Sequence, residues 1–421
     1  MGTAPDGQVW VASNMSDLDT SDPHRLLGGD VYTSRDGGRT FRWVAQPFAT
    51  LGGEDTDLAV APEKNSTGHY AVYAASLYIA NSSLAWSTDG GASWTLSPIT
   101  GTPLQDRPWL AADGPCTVYV AYHSPLLLPT DGSATQVTTI DTCDPTRARV
   151  TAVVGGDPDT VVGELTNPQF GKPVVDTSPR SSHRHAVYLP MQQCHAPTGS
   201  TLTDDLTASA QGEPSCGAAS VNLVAISTDG GTTFTVRRVS TGSRSMAIWP
   251  ATVATDSAGT VYYAWTDSVH AYLNTSRDGG VTWSPSRRLD TGAVRAAVYP
   301  AVTAGRAGRV DVAMYGTDRA GRSDQPANGT PGAAGAAPWR VWVARSTDGG
   351  RTTRLLAVSD VVHRGRLCTF GSACPGDGSR NLLDDFGASL SPRTGRLNVV
   401  FTADLLRGRL VTSYTAFVSE R

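Results

Sequence analysis

The sequence predicts an all-β fold, a β-propeller of four-stranded antiparallel blades, with seven blades expected and six as the alternative. Three observations predict it. An octapeptide spelled S-x-D-G-G-x-[ST]-[WF] recurs at 34–41, 87–94, 227–234 and 276–283, and at 346–353 with its aromatic lost. A unit of apolar strand, turn and apolar strand recurs upstream of these copies. Turn-formers are abundant, with 44 Gly and 26 Pro in 421 residues. Length alone would suggest two or three domains, but an internal repeat makes 1–421 one propeller domain.

The octapeptide reads as a tight hairpin. Its Asp accepts hydrogen bonds from turn amides, Gly-Gly permits positive φ, and the aromatic returns to pack between layers. Five equivalent copies cannot all be one active site, so Asp36, Asp89, Asp229, Asp278 and Asp348 read as structural. The upstream unit is seen in 249–256 with 259–265, 299–304 with 308–314, 106–111 with 117–122, and 386–391 with 397–401. Segments near 55–61 and 171–176 fit it too. Each unit therefore runs strand A, strand B, strand C, octapeptide, strand D, which is a propeller blade. Seven starts are present, the first with most of strand A missing. The opening MGTAPDGQVW has neither the basic stretch nor the apolar core of a signal peptide. No apolar run reaches the ~18–20 residues of a membrane-spanning helix.

Six cysteines pair readily within this scheme. Cys116 falls in the A–B turn of the third unit and Cys143 in its C–D turn, where the octapeptide is missing. Both turns lie on one face, so a 116–143 disulfide can replace the absent turn lock. Cys194 and Cys216 flank a long insertion, and Cys368 and Cys374 flank a short loop. The expected pairs are 116–143, 194–216 and 368–374, which imply an oxidising, extracellular compartment.

The A–B and C–D turns share one face, the bottom. The B–C loops 192–220 and 318–338 and the D–A loop 361–384 share the other, the top. Long loops gathered on one face of a rigid scaffold point to binding or catalysis; the Gly/Ala-rich 318–338 reads as a tolerated insertion. Residues that open each strand A line the channel mouth. Asp57, Asp106 and Asp385 are the catalytic candidates there, because paired carboxylates suit glycoside hydrolysis. Arg107, Lys172, Trp249, Tyr299, Arg295 and Arg380 are the substrate-binding candidates, because arginine forks suit carboxylates and aromatic faces suit sugar rings. With a net charge of −4, nothing favours nucleic acid or an anionic membrane as partner. No cofactor is called for. A structural calcium in the channel stays open, with Asp55, Asp57 or Asp385 to hold it. His183-Arg184-His185 reads as loop chemistry rather than a zinc site. A monomer is expected.

In its octapeptides and blade pattern, over nearly the whole chain, the sequence resembles the sialidase superfamily, where this turn is known as the Asp box or BNR repeat. The resemblance implies a secreted propeller acting on glycans as a glycoside hydrolase. The alternatives are a non-catalytic propeller that binds glycan or protein, and an N-terminally truncated exo-sialidase. Sialidases grip a substrate carboxylate with three arginines and use a tyrosine nucleophile backed by glutamate, with an aspartate acid/base. The catalytic match is mostly broken here. The turn that follows the family's Arg-Ile-Pro is present as Thr3-Ala-Pro-Asp-Gly7, but the arginine is not. Arg107-Pro108-Trp109 resembles that motif in a later blade. The acid/base stretch corresponds to 13–22, with Asp17, Asp19 or Asp22 available. Phe386-Gly-Ala-Ser-Leu390 stands where the family has Tyr-Ser-Ser-Leu. Glu54 and Glu164 are the available glutamate partners.

Overall fold

The structure is a computed structural model. It describes the chain except 14–28, 49–54, 79–80, 100–104, 124–134, 154–164, 196–219, 242–250, 370–373, 383–385, 407 and 421, and except a few further side chains, Asp106 among them. Seven antiparallel sheets form a ring in chain order. Blade 1 comprises Gly2–Thr3, Val9–Ser13, Asp30–Ser34 and Arg42–Ala45; blade 2 comprises Thr56–Lys64, Tyr70–Tyr78, Asn81–Ser87 and Thr95–Pro98. Blade 3 comprises Asp106–Asp113, Thr117–His123, Thr135–Asp141 and Arg149–Val153. In blade 4, strand A is split into Leu165–Phe170 and Val174–Val175, followed by Val187–His195, Ser220–Ser227 and Thr235–Thr241. Blade 5 comprises Thr252–Thr255, Val261–Thr266, Ala271–Ser276 and Arg287–Arg288; blade 6 comprises Ala296–Ala304, Val310–Thr317, Pro338–Ser346 and Arg354–Arg364. Blade 7 comprises Phe386–Leu390, Leu397–Leu406 and Arg409–Ser419.

Seven blades form, not six. Gly2–Thr3 pairs with Val9–Trp10 inside blade 1, and Arg409–Ser419 pairs with strand B of blade 7, so the chain ends do not merge into one sheet. The ring closes by side chains. Ser389 Oγ donates to Thr3 Oγ1 at 2.8 Å, and Phe417 meets Phe41 edge-on with centroids 4.7 Å apart.

All five octapeptides form the expected turn. In the first, Ser34 Oγ donates to Asp36 Oδ1 at 2.7 Å and accepts from Gly38 N at 2.9 Å. Asp36 Oδ1 also accepts from Arg39 N and Thr40 N, and Oδ2 accepts from Thr40 Oγ1. Both glycines have positive φ, +73° and +84° at Gly37 and Gly38, a region costly for residues that carry a Cβ.

The second glycine does something the turn alone does not require: it seats on the preceding blade. A Cβ on Gly38 would lie 2.1 Å from Phe417 of blade 7, and one on Gly91 2.7 Å from Val44 of blade 1. On Gly231 it would lie 3.1 Å from Tyr119 of blade 3, on Gly280 2.7 Å from Ile226 of blade 4, and on Gly350 3.0 Å from Leu273 of blade 5. The seat includes a buried aromatic near the start of strand B in the blade before, as with Trp10, Tyr119 and Tyr188. Burial pushes the Tyr119 hydroxyl up to about 12.

Blade 3 carries no octapeptide, and Cys116 and Cys143 form the expected disulfide across its A–B and C–D turns. Thr142 N and Oγ1 both donate to Cys116 O, at 2.9 and 2.8 Å, and Tyr73 of blade 2 lies beneath with its hydroxyl 3.4 Å from Thr142 Oγ1. Cys368–Cys374 also forms. The expected partner of Cys194, Cys216, lies outside the described residues. Among the described residues, Cys116, Asp141 and Cys143 are the one grouping that could hold a metal, and the disulfide uses both sulfurs.

Two predictions follow from the turns. Gly37 has nothing within 4 Å of a built Cβ, so Gly37→Ala meets only the left-handed backbone cost, about 1 kcal/mol. Gly38→Ala adds the clash with Phe417 and should cost about 2–4 kcal/mol, read by urea denaturation; equal losses would remove the inter-blade role. The second concerns acid. Despite some desolvation, hydrogen bonds from Ser93, Ser87 and neighbouring amides hold Asp89 at about 2, and those from Thr233 and Thr282 hold Asp229 and Asp278 at about 2. A folded pKa below the unfolded one gives stability that is present above about pH 4 and lost as pH falls toward 2. Asp89→Asn should lower the melting temperature at pH 7 and make its fall between about pH 4 and 2 shallower.

Candidate functional site

The A strands of blades 2 to 7 face the central channel, where Ala254, Ala301, Ala304 and Gly387 are small. They leave a channel cavity of about 460 Å³. Its lining mixes threonines with the apolar Val174, Trp109 and Phe386. Trp109, half-buried, packs against the core cluster of blades 3 and 4 and against that of blades 6 and 7, so the indole spans the channel. The side-chain hydroxyls of Thr177, Thr255 and Thr415 line the cavity and make no hydrogen bond among the described residues.

One charge pair sits in the wall. Asp57 Oδ1 accepts from Lys172 Nζ at 2.7 Å, and Asp57 Oδ2 accepts from the backbone N–H of Leu110 at 2.8 Å. Lys172 Nζ also donates to Leu58 O at 2.8 Å. Asp57 is in blade 2, Leu110 in blade 3 and Lys172 in blade 4, so one ion pair ties three blades. The break in strand A of blade 4 makes this possible. Gly171 turns the chain there, and a Cβ on it would lie 2.2 Å from Ala251 O of blade 5. Asp57 is 5% exposed and both its oxygens are engaged, and the Lys172 ammonium occupies the place a channel cation would need.

At the top, strand A carries backbone strain. Arg107 and Tyr299 each have φ of +55° and each precedes a proline, in strands whose register shifts nearby. The residue before proline is already steered toward extended backbone, so a left-handed conformation there is doubly disfavoured and must be held by its surroundings. Tyr299 is held by its hydroxyl, which donates to Cys368 O at 3.3 Å beneath the disulfide loop, and by Tyr315, with centroids 6.0 Å apart. Arg107 is half-buried. Arg295 and Arg380 are exposed on the D–A loops. Asp106 lies opposite His123 in its sheet, with its side chain outside the described residues; Asp385, Trp249, Glu54, Glu164 and the 14–28 stretch lie wholly outside them.

The insertion 318–338 is not merely tolerated. It packs with 365–367 as a cap beside strands C and D of blade 6: Arg366 N donates to Gly329 O, Leu367 N to Ser323 O, and Trp339 Nε1 to Gly365 O, at 2.8–2.9 Å. Buried Asn328 supplies the donors its composition hides, reaching Ser323 O at 2.8 Å and Arg322 O at 3.0 Å. Under the cap lies a buried cluster with no signal in spacing. His363 Nδ1 is 2.8 Å from Asp404 Oδ2, which also accepts from Asn381 at 3.1 Å. On the bottom, His185 pairs with Asp113 at 2.9 Å and Arg184 with Glu63 at 2.7 Å, so 183–185 braces blades 2, 3 and 4.

Comparison with known proteins gives no match to any family model and none to a curated protein. Solved structures similar to this chain include a leech intramolecular trans-sialidase complexed with 2,7-anhydro-Neu5Ac, at 10% identity over 86% of this chain and 67% of that one, TM-score 0.46. A Trypanosoma rangeli sialidase mutant displaying trans-sialidase activity is 12% identical over 98% of this chain and 58% of that one, TM-score 0.46. A protein of unknown function from Dyadobacter fermentans is 12% identical over 86% and 94%, TM-score 0.45. At such identities the chemistry rests on the residues of this chain.

Lys172→Met would leave Asp57 buried without its counter-charge. Because Lys172 is partly open to the channel, the expected loss is about 3 kcal/mol, the low end for a broken buried pair. Asp57→Leu with Lys172→Met should recover part of it. A double variant worse than Lys172→Met alone, measured by urea denaturation, would show that the pair is not the brace.

Proposed function

We propose that this protein is a secreted propeller that recognises uncharged sugar residues of a glycan in its central channel. The carrying observation is the cavity lining: open threonine hydroxyls beside aromatic faces, with Asp57, the one carboxylate of the lining among the described residues, committed to Lys172. A volume of about 460 Å³ suits one or two sugar rings. Hydroxyls match sugar hydroxyls, and aromatic rings match the apolar faces of pyranoses. Arg107, Arg295 and Arg380, with Trp249, are the proposed rim contacts; Tyr299, expected among them, is 4% exposed and packs in the core of blades 6 and 7 instead. The two disulfides support an oxidising, extracellular setting.

A hydrolytic reading has one observation in its favour, the strained backbone at Arg107 and Tyr299, since such strain gathers at functional sites. Asp106 and Asp385 would then be the working carboxylates, with Arg107 orienting substrate. Their separation would set the outcome, ~5–5.5 Å for retention and ~6.5–9.5 Å for inversion.

A glycan array and a panel of fluorogenic glycosides test both readings together. The expected result is glycan binding without turnover, weakened about tenfold by Thr255→Val with Thr415→Val at unchanged melting temperature. Turnover abolished by Asp106→Asn or Asp385→Asn would replace recognition with hydrolysis. No binding and no turnover would overturn both.

A further inference from the structure

The consecutive octapeptide turns of blades 5 and 6 enclose a groove of about 620 Å³ on the bottom face, away from the channel. Its floor is Leu273 and Thr275, on which Gly350 seats. Arg277, Arg287 and Arg351 line it. All three are exposed, and their guanidinium groups make no ion pair or hydrogen bond among the described residues. Arg277 reaches from blade 5 toward blade 6: a Cβ on Gly349 would lie 3.6 Å from its Nη2. By contrast, two arginines at strands B and C of blade 6 are neutralised. Arg309 and Arg345 both bind Asp311, at 2.6 and 2.9 Å. What distinguishes the groove is that three unpaired guanidiniums line one concave space, on a chain whose net charge is −4.

Most other polar side chains of the groove are already used. Trp283 Nε1 donates to Gly280 O at 2.9 Å, Thr282 Oγ1 to Asp278 Oδ2 at 2.5 Å, and Ser284 Oγ to Pro285 O at 3.2 Å. The carboxylates of Asp278 and Asp348 turn into their own hairpins, each accepting from a serine hydroxyl, a threonine amide and a threonine hydroxyl. What remains for a ligand is three guanidinium forks beside the ring of Trp283 and the face of Pro285. Guanidinium forks bind planar or tetrahedral oxyanions in pairs of hydrogen bonds, and an indole face suits a pyranose. We propose that this groove binds an acidic polysaccharide, a sugar chain bearing sulfate or carboxylate groups, independently of the channel.

The test uses the intact chain and titration calorimetry at low and moderate salt. The probes are heparin, which carries both anions, polygalacturonate, which carries carboxylate alone, and neutral dextran. Heparin should bind, more weakly as salt rises. Binding of polygalacturonate as well would show that carboxylate suffices, and binding of heparin alone would identify sulfate as the recognised group. The triple variant R277A/R287A/R351A should lose at least about tenfold in affinity, roughly one strong charge-assisted contact or more. The control R35A/R39A/R42A removes the same charge from exposed positions of blade 1 and should lose less than about twofold, as expected of screened distant charges. Equal losses in the two variants would overturn the site, as would an absence of polymer binding. So would a single-stranded oligonucleotide that competes as well as heparin. Channel binding of uncharged glycans should survive both triple variants, so failure here and failure of the channel reading are separable.

Discussion

The propeller depends on one close approach repeated around the ring: the second glycine of each octapeptide turn against the blade before it. A turn lock would need the pair of glycines only for backbone angles. Here the second one also lacks a side chain because Phe417, Val44, Tyr119, Ile226 or Leu273 stands where a Cβ would be. The aspartate makes this approach rigid. By accepting from the serine, two following amides and the threonine hydroxyl, it fixes the hairpin in the one shape that presents the glycine flat to its neighbour. The intra-blade hydrogen bonds and the inter-blade packing are therefore a single device, and the aspartates are exhausted by it.

Where the device is missing, something else fills the same place. Blade 3 uses the Cys116–Cys143 disulfide, and Thr142 meets Tyr73 much as a glycine meets its seat elsewhere. Blade 6 carries Asp311, not an aromatic, near the start of strand B. Asp311 joins Arg309 and Arg345, and Glu420 of blade 7 completes the network. An ionic cluster thus joins blades 6 and 7 on this face. On the axis the problem is reversed. Small residues let the A strands converge but leave little to hold them, and Asp57 with Lys172 crosses that gap.

The bottom of the molecule was legible because its determinants are local. Serine, aspartate and two glycines within eight residues specify the hairpin, and five copies specify the array; the faces and the 116–143 pairing follow from blade order. The aromatic seats were legible too, as the recurring Val-Trp or Val-Tyr at 9–10, 72–73, 118–119, 187–188 and 261–262, but their meaning needed the neighbouring blade. The candidate site was harder. Asp57 was read as an exposed carboxylate of the mouth, whereas its partner Lys172 lies 115 residues away and the amide it binds belongs to a third blade. His363 and Asp404, 41 residues apart, meet only because strand D of one blade packs on strand B of the next. The insertion 318–338 looked inert because its composition is inert; order comes from one asparagine and from backbone donors that composition does not display.

These constraints divide the molecule by chemistry. A side chain that holds blades together has its donors and acceptors satisfied, and a satisfied group has little left for a ligand. On that criterion the octapeptide aspartates and the Asp57–Lys172 pair belong to the framework. Among the described residues, two hollows keep left-over groups together. The channel keeps hydroxyls and aromatic faces beside the paired Asp57 and Lys172. The groove between blades 5 and 6 keeps guanidiniums with every competing acceptor turned inward, which suits an oxyanion. The second place exists because of the first constraint. Seating Gly350 on Leu273 brings two octapeptide turns side by side, and the variable positions of those turns, Arg277 and Arg351, are then free to face a common space. A motif that cannot itself do chemistry thus carries, at its unconstrained positions, side chains that can bind.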